Sequence, residues 1–409
     1  MHKDTYCVLP YNHLSIDPSG KVRPCCNYNF HHKEYPKDQW GDFLNVQDGY
    51  TIEELVNSKA HVELRKDISE NKKHSFCDRC WVVENGGGHS YRQDWNNTFI
   101  EQQNRSFLDR INIEYLEMTL GNKCNIQCRM CNPWSSSMWL EDIKKNPELD
   151  YWNTFVESVN FEWYDTPEFD KLLEQVIPTV KHINMLGGEP LFNQKYYDIL
   201  QRIVDSGRAH EVSLQFNTNL LALQDKNLDL WKHFKWLNAN ISCDGVEAVN
   251  EYVRYPGKWS KFVRNLDKII EWQKEIGGDE KMILQIHSTM SSLTWLDFGN
   301  LLEWCKGLPL KHKLPFVIQV TQPPYMNAVH MPEKIKQLGY ERIKAAIHNI
   351  DDWQVTNINS LVDHVMNTPD DPEMWKTMIR ETNKLDRIRN DSILKYIPEY
   401  QEYWNDSTR

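Results

Sequence analysis

Hydrophobic and polar positions follow two different rhythms along this chain of 409 residues. Beyond about residue 105, short apolar runs alternate with stretches in which apolar residues recur every three or four positions. Runs of the first kind predict strands, and stretches of the second kind predict amphipathic helices between them. The predicted strands are Glu114–Leu120, His182–Leu186, Glu211–Asn217, Trp236–Ser242, Met282–Thr289 and Phe316–Thr321.

The predicted helices carry recognisable start signals and apolar faces. Thr166-Pro167 supplies a capping hydroxyl and a proline at the first helical position, and Phe262–Trp272 and Leu296–Trp304 are also amphipathic. Repeated strand-helix-strand units favour a parallel sheet with right-handed crossovers. We therefore predict an α/β fold, a partial (β/α)6 barrel over residues 106–330.

The two ends of the chain differ from this middle part. Residues 1–105 are polar and turn-rich, carry five cysteines, and have too little apolar content for a strong core without bound metal. Residues 331–409 are charged and show helical periodicity around Ile335–His348 and Pro372–Leu385. We predict three domains: a small cysteine-rich domain over 1–105, the barrel over 106–330, and a helical extension over 331–409.

Composition narrows the range of partners. Lys and Arg number 47 against 58 Asp and Glu, the net charge is -11, and no stretch forms a basic face, so we expect no nucleic-acid partner. No apolar run reaches the roughly 18 residues that span a bilayer, and the start lacks the apolar block of a signal peptide. We expect a soluble, cytoplasmic protein without a membrane partner, acting on a small molecule or a peptide. In that reducing compartment, the closely spaced cysteines predict metal ligands before disulfides.

Three cysteines follow the first predicted strand directly, as Cys124-x3-Cys128-x2-Cys131. A 4Fe-4S cluster held by three thiolates keeps one iron open for chemistry. A structural zinc site needs four ligands, so it would require a further one from elsewhere, such as His182 or Cys243. Both sites remain alternatives, and the spacing favours the iron-sulfur cluster.

The amino-terminal region supplies a second cysteine group. Cys7 is followed by Gly20 after twelve residues and by Cys25 after four more, and Cys77-x2-Cys80 comes later. Four thiolates suffice for an additional 4Fe-4S cluster, although the same set also suits a zinc ribbon. The adjacent Cys26 leaves open which of the two neighbours is the ligand.

The C-x3-C-x2-C motif resembles the signature of radical S-adenosylmethionine (radical SAM) enzymes. Met130 stands where that family usually has an aromatic residue near the adenine, and a polarizable thioether can still pack on a ring. The amino-terminal cysteines resemble SPASM/twitch auxiliary-cluster domains, here placed before the barrel instead of after it. The resemblance implies a catalytic 4Fe-4S cluster, S-adenosylmethionine, a second auxiliary 4Fe-4S cluster, and an external electron donor such as flavodoxin or ferredoxin.

Polar motifs at later strand ends resemble the family's cofactor contacts, although each motif alone also fits an ordinary turn or a surface arginine. The tetrapeptide after the second strand resembles the motif that contacts the methionine amino group. Asparagines after the third strand resemble the ribose contacts, and a serine and an arginine after the fourth resemble the pair that holds the methionine carboxylate. With Met130, the implied cofactor-binding residues are Gly187, Gly188, Glu189, Pro190, Asn217, Asn219, Ser242 and Arg254.

The resemblance also implies the reaction. S-adenosylmethionine would be cleaved reductively to a 5'-deoxyadenosyl radical, which removes a hydrogen atom from the substrate. With an auxiliary cluster as electron acceptor, we expect an oxidation, either dehydrogenation or cross-linking of a peptide or a small metabolite; this step rests on family analogy. Alternatives are a non-oxidative rearrangement or group transfer and, from another class, an iron-sulfur or zinc-stapled electron-transfer or binding protein that does not cleave the cofactor.

Overall fold

The computed structural model describes residues 5–28, 43–99, 112–149 and 159–404. Within these ranges, strands from both the amino-terminal region and the middle of the chain join one sheet. The strands are β1 (His13–Ile16), β2 (Val22–Arg23), β3 (Tyr115–Thr119), β4 (His182–Leu186), β5 (Ser213–Thr218), β6 (Trp236–Ser242), β7 (Met282–Met290) and β8 (Phe316–Gln319).

Helices precede, connect and follow these strands. They are α1 (Leu9–Asn12), α2 (Ile52–Val56), α3 (Lys59–Ser69), α4 (Asp78–Asn85), α5 (Tyr91–Thr98), α6 (Ser137–Lys145), α7 (Pro167–Val176), α8 (Gln194–Asp205), α9 (Asp225–Trp231), α10 (Glu247–Val253), α11 (Trp259–Glu275), α12 (Phe298–Gly307), α13 (Glu333–Ala346), α14 (Gln354–Asn367) and α15 (Pro372–Arg389). None of the helices in the described ranges is long and apolar enough to cross a membrane.

The sheet has the order β2-β1-β3-β4-β5-β6-β7-β8. Strands β3 to β8 are neighbours in chain order and all pair in parallel, which confirms the predicted partial (β/α)6 barrel. Their ends lie within two residues of the predicted ones. These strands could be located from the sequence because the strands of a parallel sheet are buried under helices and therefore appear as apolar runs.

Strand β7 shows how the sheet separates its two faces. Every second residue from Met282 to Met290 is fully buried, and these residues face the surrounding helices. The residues between them include Gln285, His287 and Thr289, which are only partly buried. The inner face of the barrel therefore carries polar side chains, and the carboxyl ends of the parallel strands meet at one edge.

The amino-terminal region contributes strands to the barrel sheet, in addition to the predicted ones. Strand β1 pairs in parallel with β3, and Leu14 and Ile16 are fully buried in the main core. The strand was not predicted because its short His13–Ile16 alternation stands alone in a polar, turn-rich region, and its pairing partner β3 is distant in the chain. The proposed domain boundary between 105 and 106 lies outside the described residues and stays a prediction.

The carboxyl-terminal region is helical, as predicted. Helices α13 and α15 match the two periodic segments, and α14 lies between them. The hydroxyl of Tyr252, on α10, donates a hydrogen bond to the Asp386 carboxylate of α15 at 2.8 Å. The last helix thus reaches the loops at the carboxyl ends of the strands.

Candidate functional site

A cavity of about 450 Å³ opens at the carboxyl ends of the parallel strands. This volume lies in the range of sites that enclose a small organic molecule. Every residue predicted for the catalytic cluster and its cofactor lines this cavity: Cys124, Cys128, Met130, Cys131, Gly187, Gly188, Glu189, Pro190, Asn217, Asn219, Ser242 and Arg254.

The cysteine loop is held in place by backbone contacts. The amides of Gln127 and Arg129 donate to the carbonyls of Tyr255 and Val253, at 2.6 Å and 2.8 Å, around the carboxyl-terminal end of α10. The Cys124 amide donates to the Ser137 hydroxyl at 3.3 Å. The positions of the three thiols therefore depend on the strand-end loops around them.

Burial governs the protonation of these thiols. It raises the pKa of Cys131 to about 12, and it raises the pKa of Cys124 further. Buried thiols with such a pKa stay protonated at neutral pH unless a bound cation stabilises the thiolates. The donor set therefore fits an iron-sulfur cluster, whose irons supply that positive charge.

In the described ranges, no group of three or more His, Cys, Asp or Glu side chains is arranged to hold a single metal ion such as zinc. The extra zinc ligands considered above are also poorly placed. His182 begins β4 and pairs with Tyr115, at the strand end opposite the cysteine loop. Cys243 is fully buried and directs its thiol to the Gly245 carbonyl at 3.3 Å.

The glycine turn after β4 packs directly on the cysteine loop. Gly188 has φ +48°, and a Cβ added there would lie 2.1 Å from the Lys123 carbonyl oxygen. A Cβ on Gly187 would lie 2.7 Å from the Gly121 oxygen. Since only glycine permits this approach, the turn fixes the loop that leads into Cys124.

Glu189 braces this turn from inside the protein. Its carboxylate accepts hydrogen bonds from the Thr218 hydroxyl at 2.7 Å, the Asn219 amide at 2.6 Å and the Leu191 amide at 3.0 Å. Burial raises the pKa of the carboxyl, while the same hydrogen bonds favour its ionised form. These hydrogen bonds favour a role for the Glu189 carboxylate in positioning the turn, and not in binding a cationic amine.

The two asparagines at the end of β5 have different surroundings. Asn219 donates its amide to the Asn125 side chain at 2.7 Å and accepts from the Leu221 amide at 2.9 Å, so it also braces the cysteine loop. Asn217 is exposed to the cavity, and its oxygen accepts from the Asn240 amide at 2.7 Å. The second arrangement leaves the Asn217 amino group to face a ligand.

Ser242 and Arg254 both line the cavity. Arg254 forms an ion pair with Asp244, whose side chain is 1% exposed, and the other Asp244 oxygen accepts from the Thr289 amide at 2.7 Å. This carboxylate fixes the guanidinium beside Cys128. Asp244 was not among the predicted site residues, although it follows Ser242 by only two positions.

The second cysteine group forms its own pocket. Cys7, Cys25, Cys77 and Cys80 line one small cavity of about 30 Å³, and Cys26 is not part of its lining. Burial raises the pKa of the Cys7 thiol to about 12, so these thiols also require bound cations. The geometry therefore groups Cys25, not Cys26, with the other three.

Two protein-family models match this chain, one over each cysteine group. Residues 118–305 match the radical SAM superfamily, and residues 7–81 match the SPASM iron-sulfur cluster-binding domain. The two matches include the two cysteine groups described above. A radical SAM domain carries a 4Fe-4S cluster with S-adenosylmethionine, and a SPASM domain carries auxiliary iron-sulfur clusters.

Individual relatives are distant. A GTP 3',8-cyclase from Aliarcobacter butzleri is 22% identical over 238 residues, which cover 58% of this chain and 62% of the cyclase. Among solved structures, native anSMEcpe with bound AdoMet is 14% identical, with a TM-score of 0.40, and covers 60% of this chain and 62% of that one. Streptococcus suis SuiB bound to S-adenosylmethionine is 11% identical, with a TM-score of 0.34 and coverages of 57% and 44%.

The strand-end cavity, the two cysteine groups and the two family matches lead to one assignment: this chain is a radical SAM enzyme with a SPASM iron-sulfur domain on the amino-terminal side of its barrel.

Proposed function

We propose that this chain oxidises a peptide or a small polar metabolite, by dehydrogenation or cross-linking. The single observation that carries the proposal is the second pocket, which is lined by four cysteines. An oxidation needs an acceptor for the electron that the substrate radical gives up, and a cluster in this pocket would supply one. The Tyr91 and Tyr115 hydroxyls lie 3.1 Å apart, and the Tyr115 ring stacks on Trp95 at 4.0 Å. These contacts connect the lining of the second pocket with a barrel strand.

Each cavity residue has a proposed role. Cys124, Cys128 and Cys131 hold the catalytic cluster, and Cys7, Cys25, Cys77 and Cys80 hold the auxiliary one. Ser242 and Arg254 bind the methionine carboxylate, and the Gly187–Pro190 turn binds the methionine amino group. Asn217 binds the ribose, and Met130 packs on the adenine. Asn219 acts indirectly, through its contact with Asn125. When bound, the cluster and S-adenosylmethionine together supply the 5'-deoxyadenosyl radical. The protein orients the substrate at the barrel mouth and excludes water from it.

The interior of the barrel supports a polar substrate. Ser15, Glu117, Asn184, Gln215 and Asn238 lie at one register level across five neighbouring strands. Barrel interiors are usually filled by branched apolar side chains. Among the described residues, the buried oxygens of Asn184 and Asn238 lack hydrogen-bond partners. Neutral amides of this kind suit uncharged groups such as peptide amides and hydroxyls.

A radical cyclisation or rearrangement is the second candidate. The similarity to a GTP 3',8-cyclase over 58% of the chain favours it. We also propose a cytoplasmic location and an electron donor of the flavodoxin or ferredoxin type. We propose the division of the chain into domains over 1–105, 106–330 and 331–409.

The test begins with anaerobic reconstitution and iron analysis, for which we expect about eight irons per chain in two clusters. Reduction in the presence of S-adenosylmethionine should release 5'-deoxyadenosine, detected by mass spectrometry. Cys128→Ala should abolish the product, whereas Cys305→Ala, in the helical layer, should retain it. A fully reconstituted protein that forms no 5'-deoxyadenosine would contradict an enzymatic role.

The type of reaction is read from product mass. Incubation with short uncharged peptides and polar metabolites should yield a product about 2 Da lighter for a dehydrogenation or a cross-link. A product of unchanged mass would favour rearrangement and exclude the oxidative reaction for that substrate.

A further inference from the structure

The outer side of the cysteine loop is covered by α15 of the carboxyl-terminal extension. Arg389, at the end of this helix, donates from Nη2 to the Gln127 side-chain oxygen at 3.2 Å. Its guanidinium lies over the Tyr255 ring at 4.5 Å and near the Trp139 ring at 5.4 Å. The Trp139 indole in turn donates to the Cys128 carbonyl at 3.2 Å. Arg389 thus contacts Gln127, the neighbour of Cys128 in the chain, and the tryptophan that is hydrogen-bonded to the Cys128 carbonyl.

The charge of Arg389 is buried and incompletely balanced. Its side chain is 2% exposed, and within the described ranges its Nε and Nη1 atoms have no hydrogen-bond partner. The Asp142 carboxylate approaches it only to 3.5 Å. Burial and the nearby Arg129 lower the pKa of Arg389 to about 10, so the guanidinium still carries its charge at neutral pH.

Arg129 has a closer counter-ion than Arg389, although within the described ranges its Nη1 atom also has no hydrogen-bond partner. It is also buried, but its Nη2 lies 2.7 Å from the Asp386 carboxylate, and its guanidinium stacks on the Tyr252 ring at 3.7 Å. Helix α15 therefore supplies a close partner for one buried arginine and contributes a second arginine whose partner is more distant.

A buried positive charge near Cys128 has a direct electrostatic consequence. One-electron reduction adds negative charge to an iron-sulfur cluster, and nearby charges and hydrogen bonds set the potential at which this happens. In a low-dielectric environment the stabilising effect of a cation is large. The contacts of Arg389 with Gln127 and with the Trp139 ring place this positive charge next to the backbone that carries Cys128.

We propose that Arg389 raises the reduction potential of the catalytic cluster, so that the carboxyl-terminal extension is part of the redox machinery of the enzyme. Arg389 acts through the cysteine loop and does not line the cofactor cavity, so it is a positioning residue. The inference rests on the proposed ligation of that cluster by Cys124, Cys128 and Cys131.

The test is a redox titration of the reconstituted enzyme, followed by electron paramagnetic resonance on the cluster signal that S-adenosylmethionine alters. Arg389→Gln should shift the midpoint potential to a more negative value. Arg389→Lys, which keeps the positive charge, should have a potential close to that of wild type. Arg387→Gln is the matched control, since Arg387 lies two residues away on the exposed face of the same helix and should leave the potential unchanged.

Asp142→Asn provides an independent variant should Arg389→Gln fail to assemble its cluster. Removing this carboxylate leaves the Arg389 charge less balanced, so the potential should become more positive. Potentials equal to wild type in Arg389→Gln, or in Asp142→Asn, would overturn the inference while leaving the proposed function intact. A wild-type protein without a cluster signal that responds to S-adenosylmethionine would instead refute the proposed function.

Discussion

Cys25 and Cys26 are identical in type and adjacent in the chain, yet they have different neighbours. Cys25 lines the pocket that holds Cys7, Cys77 and Cys80. Cys26 is absent from this lining, although its thiol is hydrogen-bonded to that of Cys25 and lies within electrostatic reach of the Glu117 carboxylate. At this scale, the exact positions of two thiols in contact decide which of them is a candidate ligand.

We predict that Cys25→Ser removes the auxiliary cluster and that Cys26→Ser retains it. Iron analysis after reconstitution should fall from about eight to about four irons per chain in the first variant only. Serine keeps the shape of cysteine, so the comparison isolates the sulfur ligand. Equal iron loss in both variants, or loss confined to Cys26→Ser, would reverse the assignment.

Gly188 offers a second prediction. Gly188→Ala would place a methyl group 2.1 Å from the Lys123 carbonyl oxygen, so the glycine turn would separate from the cysteine loop. We expect loss of the catalytic cluster, measured as iron content and as 5'-deoxyadenosine formation. Gly207→Ala is the control: it shares the positive φ, at +77°, but a Cβ there meets no atom within 4 Å. It should cost about 1 kcal/mol of stability and retain the cluster. Similar iron contents in both variants would show that the clash does not matter.

At the scale of elements, β1 carries a buried histidine into the sheet. His13 is 1% exposed and stacks on the Tyr115 ring at 4.1 Å. Burial lowers its pKa to about 4, and burial lowers the pKa of His61, on α3, to about 3. Both residues are thus neutral in the folded protein well below the pH at which a free histidine takes a proton.

This difference predicts an acid-sensitive amino-terminal region. Below about pH 6.5 the unfolded chain binds protons that the folded chain does not, so stability falls as the pH drops from there toward 4. His13→Phe keeps a stacked ring without a titrating group and should show a smaller fall in melting temperature between pH 7.5 and 5.5. His210→Gln, at an exposed position, is the control, and its melting temperature should fall as much as that of wild type. An unchanged fall in His13→Phe would exclude His13 as a source of the acid sensitivity.

At the scale of the whole molecule, the two iron-sulfur modules share one sheet. Strand β3 pairs with β1 on one side and β4 on the other, and Leu14 and Ile16 of β1 belong to the same core as the barrel strands. The amino-terminal region therefore closes an edge of the barrel in addition to holding cysteines.

We expect a chain truncated to residues 112–404 to aggregate, because the unpaired β3 edge and the apolar side chains under β1 become exposed. Size-exclusion chromatography and circular dichroism would measure this. Co-expression of residues 1–111 as a separate chain should restore a soluble barrel. A soluble, folded 112–404 fragment would show instead that the barrel is independent of the amino-terminal region.

Strands β3 to β8 could be predicted because each is a long enough apolar run to reveal its period. The cofactor motifs could be located because the carboxyl ends of parallel strands meet at one edge. Strand β1 could not be predicted, since its partner β3 lies about a hundred residues further along. The ion pair of Arg254 with Asp244 and the contact of Asn219 with Asn125 were missed for the same reason: they exist only after distant loops pack together.

The sequence by itself determined the chemistry of this protein, because ligand type and spacing are local properties: two groups of cysteines, a glycine turn, and polar residues after successive strands. Tertiary structure alone decided which cysteine of an adjacent pair joins the auxiliary group, which polar residues brace the cysteine loop and which face the cavity. It also placed Arg389, more than 250 residues from Cys128 in the chain, against the catalytic loop. Distances between remote residues arise from burial and packing of whole elements, which no local pattern records.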